Sequence, residues 1–151
     1  MKVAVYKAAG AQYVETPPYD PPNAVYDAVR GALALLGLDP ANPLGVFIRP
    51  GDRVVIKPNL VTHEFGVQAG QRCLTAHGSV IRAVVDYAFL AGGPESSIVI
   101  ADAPVQGADF AKIVAQNGLD EIRDYYWRTH RYELGVLDRV RCRRCSTSKA
   151  H

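Results

Sequence analysis

Three short stretches of this chain put side chains capable of chemistry where secondary structure has to stop. Lys57 and Asn59 flank Pro58, directly after the apolar run Val54-Val55-Ile56. Asp102 follows a second apolar run, Ile98-Val99-Ile100-Ala101, and precedes Ala103-Pro104. Between them, Thr75-Ala76-His77-Gly78-Ser79 leads into a helical pattern. An ammonium and a carboxamide can anchor an anion by charge and hydrogen bonds. The free amides at a helix start favour a phosphate or carboxylate, Gly78 permits close backbone approach, and Thr75 and Ser79 add hydroxyls. His77 and Asp102 are the groups suited to acid–base work, and a carboxylate at a strand end also suits Mg²⁺ or a ligand hydroxyl. Plainer readings stand beside these. Lys57 can be a solvated lysine, Asn59 and Asp102 turn formers, Thr75 or Ser79 an ordinary cap, and His77 a satisfied loop histidine.

The stretch from Thr75 to Ser79 is neither a Walker A loop nor a GxGxxG fingerprint, so its phosphate signal is generic. His63, His77 and Asp102 would form a histidine–carboxylate metal set. No short ligand spacing supports one, and no metal is assigned. Gln106 and Asp109 follow at the same edge as weaker candidates. Cys142-x-x-Cys145 is half of a zinc or redox motif without a partner pair.

The elements that must position these residues read as alternating strands and helices. Residues 2–7 alternate and are rich in Val and Tyr, which predicts a first strand. Ala8 to Pro22 holds four prolines and must be a loop. Asn23 caps a predicted helix from Ala24 to Leu38. The run from Arg53 predicts a strand covered on both faces, ended by Pro58, which cannot donate to a ladder. A helix from Val80 to Leu90 ends at Gly92-Gly93-Pro94, and a second buried strand spans Ser97 to Ala101. Strand, helix and strand make a crossover unit of a parallel sheet. Short helices over Asp109–Asn117 and Leu119–Trp127 and a strand over Tyr132–Leu137 complete the body. Ligands bind beyond the carboxyl ends of such strands, which is where Lys57, Asn59 and Asp102 fall.

Composition sets the outer bounds. The chain has 151 residues, 48% of them hydrophobic and 21% charged, as in a globular domain with a real core. Five of its 17 basic residues lie in 139–151, where no acid occurs, so residues 1–138 carry 12 basic against 15 acidic residues, a net −3. A mildly acidic body does not indicate a general nucleic-acid surface. No apolar run approaches the length of a membrane span, the start of the chain lacks a secretory core, and three cysteines make no disulfide framework. A reducing cytoplasm is the default compartment.

Taken in order, Val55-Ile56-Lys57-Pro58-Asn59-Leu60, the Thr75-to-Val84 segment and Ile100-Ala101-Asp102-Ala103-Pro104 resemble the family known as domain of unknown function 362. Phe110-x-Lys112-Ile113-Val114 and Gly118 to Tyr126 resemble a bacterial branch found beside polysaccharide-biosynthesis genes. The resemblance covers residues 1–138. Members of this family are usually longer, so it implies an N-terminal fragment and an incomplete fold. Some members carry ferredoxin-type cysteine clusters, which need about four thiolates and so are not expected here. The family supplies no activity.

The fold expected is therefore α/β, three-layer and Rossmann-like, with a mostly parallel sheet and flanking helices over 1–138. A disordered or non-native basic tail is expected over 139–151. The first function expected is an enzyme acting on an anionic small molecule, a sugar phosphate or nucleotide sugar. Lys57, Asn59, Thr75, Gly78 and Ser79 would bind it, with His77 and Asp102 catalytic. A ligand-binding or protein-interaction module without chemistry is the alternative, and an accessory to iron–sulfur electron transfer a third. The sequence names no cofactor, no nucleic-acid partner and no membrane partner.

Overall fold

The structure is a computed structural model that describes residues 3–8, 12–63 and 75–139. Cys73, with Glu64, Gln68, Gln71 and Arg72, lies outside the described residues, as do Cys142, Cys145 and the rest of the basic tail after Arg139.

Helix α1 spans Ala24–Leu35. The Asn23 side chain accepts from the amides of Val25 and Tyr26 at 3.0 and 3.1 Å and starts it as the sequence predicts. Strand β1 is Arg53–Ile56, helix α2 Gly78–Gly92 and strand β2 Ser97–Asp102. Helices α3, Phe110–Gln116, and α4, Leu119–His130, then lead to strand β3, Gly135–Asp138. The three strands form a parallel sheet in the order β1-β2-β3. Arg53 pairs with Ser97 and Ile56 with Ile100, while Val99 pairs with Gly135 and Asp102 with Asp138. The protein is thus α/β, with a parallel sheet flanked by helices.

The core lies between the sheet and the helices. Ile98, Ile100 and Leu134 meet Ile81, Val85 and Ala88 of α2 and Ile113, Leu119, Ile122 and Tyr126 of α3 and α4, all buried. Fully burying one such Ile or Leu side chain is worth about 1.5–3 kcal/mol, so this cluster fixes the sheet against its helices. Among the described residues, the strand side chains packed on this core are Val54, Ile56, Ile98, Ile100 and Val136, with Leu134 just before β3. The alternate positions point the other way, and there Val55 is 58% and Leu137 46% exposed.

Three expectations change. Strand β1 is not covered on both faces; it alternates between exposed and half-buried residues, because among the described residues only its Val54 and Ile56 face packs on the core. Residues 3–8 form no strand. Their Tyr6 ring lies against Gly31 of α1 instead, a position with no room for a Cβ. Helix α2 begins two residues before Val80, capped by neither Thr75 nor Ser79 but by His77.

Candidate functional site

The chain leaves β1 at Ile56 and turns through Pro58 to form a single antiparallel bridge, Leu60 with Thr75. The Ala76 amide donates to the Asn59 carbonyl at 2.7 Å. These two contacts draw Asn59 and Thr75 together at the entrance of α2. A cleft of about 720 Å³ opens there, lined by Asn59, Thr75, Ala76, His77 and Val80, with Tyr13, Glu15, Tyr19, Gln116 and Asn117 opposite. It lies past the carboxyl end of β1, as ligand crevices of parallel sheets do.

His77 is held with some care. Its Nδ1 accepts from the Ser79 amide at 3.2 Å and lies 2.8 Å from Ser79 Oγ. A nitrogen that accepts an amide proton cannot carry one, so the neutral ring bears its hydrogen on Nε2. The ring stacks on Tyr13 at 4.5 Å between centroids and packs obliquely on Tyr19 at 5.7 Å. Ser79 is fully buried, so its hydroxyl serves the histidine.

Thr75 differs from its neighbours. It is 9% exposed, and its hydroxyl oxygen is buried with no hydrogen-bond partner among the described residues. Leaving a buried polar group unmatched costs about 1–3 kcal/mol, and this one sits in the cleft wall beside the amino end of a 15-residue helix. That helix end carries about half a positive charge.

Gly78 makes its close approach to the protein itself. A Cβ there would fall 2.0 Å from the Asn117 carbonyl oxygen and 2.6 Å from the Tyr19 ring. The missing side chain therefore lets α2 seat against the α3–α4 junction and Tyr19.

Lys57 and Asp102 are spent largely on each other. Lys57 Nζ stands 2.8 Å from Asp102 Oδ1. Asp102 also accepts from the Leu60 amide through Oδ2 at 2.5 Å and from its neighbour Ala103 at 2.8 Å through Oδ1. Burial alone would raise the Asp102 carboxyl, but Lys57 and the two amides together hold it below the ordinary carboxylate value. It is 4% exposed and clamps the loop after β1 to the end of β2.

Of the remaining candidates, His63 uses Nδ1 to accept from the Asp109 amide at 2.9 Å. Asp109 in turn caps α3, accepting from Ala111 and Lys112. Gln106 is exposed. Among the described residues, no group of three His, Cys, Asp or Glu side chains is placed to hold a metal, and no helix is long and apolar enough to cross a membrane.

The sequence reading missed one wall. Tyr13, Glu15 and Tyr19 come from the proline-rich loop, and that loop is pinned by Arg82 of α2. The Arg82 guanidinium is fully buried, 2.7 Å from the Pro18 carbonyl, 2.8 Å from Asp86 and 3.4 Å from Asp20. It lies 3.8 Å from the centre of the Tyr125 ring, while the Tyr126 hydroxyl donates to Asp86. Between Pro18 and Asp20, Tyr19 is held at φ 64°, a conformation bulky residues avoid. Burial first, with Glu121 and Glu15 adding to it, pushes its hydroxyl up to about 12, so Tyr19 lines the cleft as a neutral phenol. A single buried arginine on a helical apolar pattern was the available signal, since a buried guanidinium must have partners.

The chain is 39% identical over 80 residues to the thylakoid-associated protein sll1697 of Synechocystis sp., a match covering 53% of this chain and 22% of that protein. The chain thus spans about a fifth of this curated relative's length. No solved structure matches. Residues 54–128, from β1 through most of α4, match the family described as Domain of unknown function (DUF362).

Proposed function

We propose that the cleft binds a small phosphate-bearing molecule, of the sugar phosphate or nucleotide sugar class. The observation that carries this reading is the Thr75 hydroxyl, buried without a partner in the cleft wall beside the amino end of α2. A phosphate oxygen there would meet the positive end of the helix dipole, and a turn of the Thr75 side chain about its first torsion would bring the hydroxyl out of the wall to donate to it. Asn59, Gln116 and Glu15 offer amide and carboxylate groups for sugar hydroxyls, and Tyr13 and Tyr19 offer aromatic faces. In an enzyme, His77 would exchange a proton with the ligand through Nε2, its other nitrogen being fixed by Ser79. Gly78 and Ser79 would contribute by shaping the helix entrance. Lys57, paired with Asp102, would contribute by holding the loop that carries Asn59. The setting implied by the sequence resemblance is polysaccharide synthesis in bacteria.

A second reading, a binding module without chemistry, is favoured by one specific observation. The Asp102 carboxylate already accepts from two amides and Lys57, and its lowered pKa makes it a weak base. Titration calorimetry with glucose 1-phosphate, glucose and inorganic phosphate tests both readings. Binding of glucose 1-phosphate that Thr75→Val weakens at least fivefold is the expected result. Equal affinity in the two proteins would overturn the phosphate assignment. A His77→Gln protein that keeps full affinity and full cellular function would favour the module.

A further inference from the structure

The phosphate-binding cleft does not end at His77. Tyr13 and Val80 line it, and the same two residues line a second groove of about 350 Å³ that runs along α1. The rest of that groove is formed by Tyr6, Ala8, Gln12, Ala24, Val25, Ala28, Val29 and Ala32. On α1, Val25, Ala28, Val29 and Ala32 follow the spacing of one helix face. Alanines at three of the groove positions on α1 leave a channel where larger side chains would close it. Its lining is apolar but for Gln12 and the Tyr6 and Tyr13 hydroxyls, with no charged side chain in it, whereas the adjoining cleft offers Glu15, carboxamides, a histidine and a helix amino end.

Polar and apolar compartments that share a wall fit a molecule with both characters. We infer that the ligand is an anionic amphiphile: a phosphate-bearing head in the cleft at α2 and an aliphatic chain along α1. The inference rests on the phosphate reading above and names the class of molecule that fills the remaining space. Tyr13 stands at the junction. It is 58% exposed and stacked on His77, so its ring flanks both the head and the first carbons of the chain. Sugar phosphates linked to a lipid carrier and simple alkyl phosphates share this chemistry, and the chain-length series below reads the shared part.

The test is the affinity of the full chain for inorganic, ethyl, butyl and hexyl phosphate, each below its micellar concentration, with hexanol as the uncharged control. Each fully buried methylene is worth about fourfold in affinity, so hexyl phosphate should bind at least tenfold more tightly than ethyl phosphate. Ala28→Phe fills the groove and should abolish that gain while leaving the affinity for ethyl phosphate within twofold. Ala32→Phe, one turn further along α1, gives the same outcome by an independent substitution should Ala28→Phe fold poorly. Equal affinity across the phosphates would overturn the amphiphile and leave the phosphate site standing. Hexanol binding as tightly as hexyl phosphate would also overturn it, since head and chain would then not belong to one ligand. Failure of inorganic and ethyl phosphate to bind, with hexyl phosphate binding no better, removes the phosphate reading and this inference with it.

Discussion

Replacing Asp102 by asparagine separates what this carboxylate holds from what it was expected to catalyse. Its two oxygens accept from the Leu60 amide at 2.5 Å, the Ala103 amide at 2.8 Å and Lys57 at 2.8 Å. Asparagine keeps one acceptor oxygen and turns the other position into a donor. If the amide nitrogen faces Leu60, a fully buried residue, an N–H is left unmatched at a cost of about 1–3 kcal/mol. Loss of the Lys57 pair adds little, about 1 kcal/mol at most, because the lysine side chain is 65% exposed and screened by water. The expected loss for Asp102→Asn is therefore about 1–4 kcal/mol, against about 1 kcal/mol or less for Lys57→Met. Urea unfolding followed by circular dichroism measures both, reading the midpoint shift at constant slope. The pH dependence carries a sign. The folded carboxyl lies below its ordinary value, so its contribution is present above the unfolded carboxylate range and is lost as pH falls through the folded value. Wild type should thus lose stability on acidification more steeply than Asp102→Asn. A variant within about 0.5 kcal/mol of wild type, with an unchanged acid limb, would refute the clamp; that margin is the usual scatter of harmless surface changes.

Three further outcomes follow from the packing. Gly78→Ala puts a Cβ 2.0 Å from a backbone oxygen and should cost about 1–3 kcal/mol or more in thermal unfolding, whereas Gly37→Ala, with open space around it, should show only the strain of its positive φ. Arg82→Met takes the guanidinium from Asp86, leaving it the Tyr126 hydroxyl, and releases the Pro18–Asp20 loop; a loss of about 3 kcal/mol is expected, together with faster amide exchange at Tyr19. Thr75→Val removes an unmatched hydroxyl and should leave the ligand-free protein as stable as wild type or slightly more so, while weakening phosphate binding; a destabilised Thr75→Val protein would show that the hydroxyl has a partner in solution.

Much of the frame was legible because it follows local rules. Asn23 starts α1 and Asp109 starts α3 through the side-chain oxygens such caps require. The runs before Lys57 and Asp102 are the paired strands β1 and β2, and Asn59 and the Thr75–Ser79 segment do meet at one cleft. Less legible were features that depend on distant partners. An apolar run does not say how many faces will be covered, so Val55 looked buried and is exposed. The alternation of residues 3–7 suits a strand, yet Tyr6 finds its place against Gly31 of α1. Histidine is an uncommon cap, and its role at α2 depends on Ser79 and on the Tyr13 and Tyr19 rings from a loop some sixty residues earlier. The cleft wall built by Tyr13, Glu15 and Tyr19 exists because Arg82 reaches across 64 residues to the Pro18 carbonyl, a pairing that spacing alone does not reveal.

An anion bound at the entrance of α2 is what the proposed function requires. Backbone amide shifts of the isotopically labelled full chain, followed through a titration with inorganic phosphate at constant ionic strength, read that directly. Saturable shifts centred on Thr75, Ala76, His77, Gly78 and Ser79, reduced in Thr75→Val, are the predicted result. Shifts that stay linear with phosphate, or that scatter over surface lysines and arginines while the Thr75–Ser79 amides stand still, would contradict it.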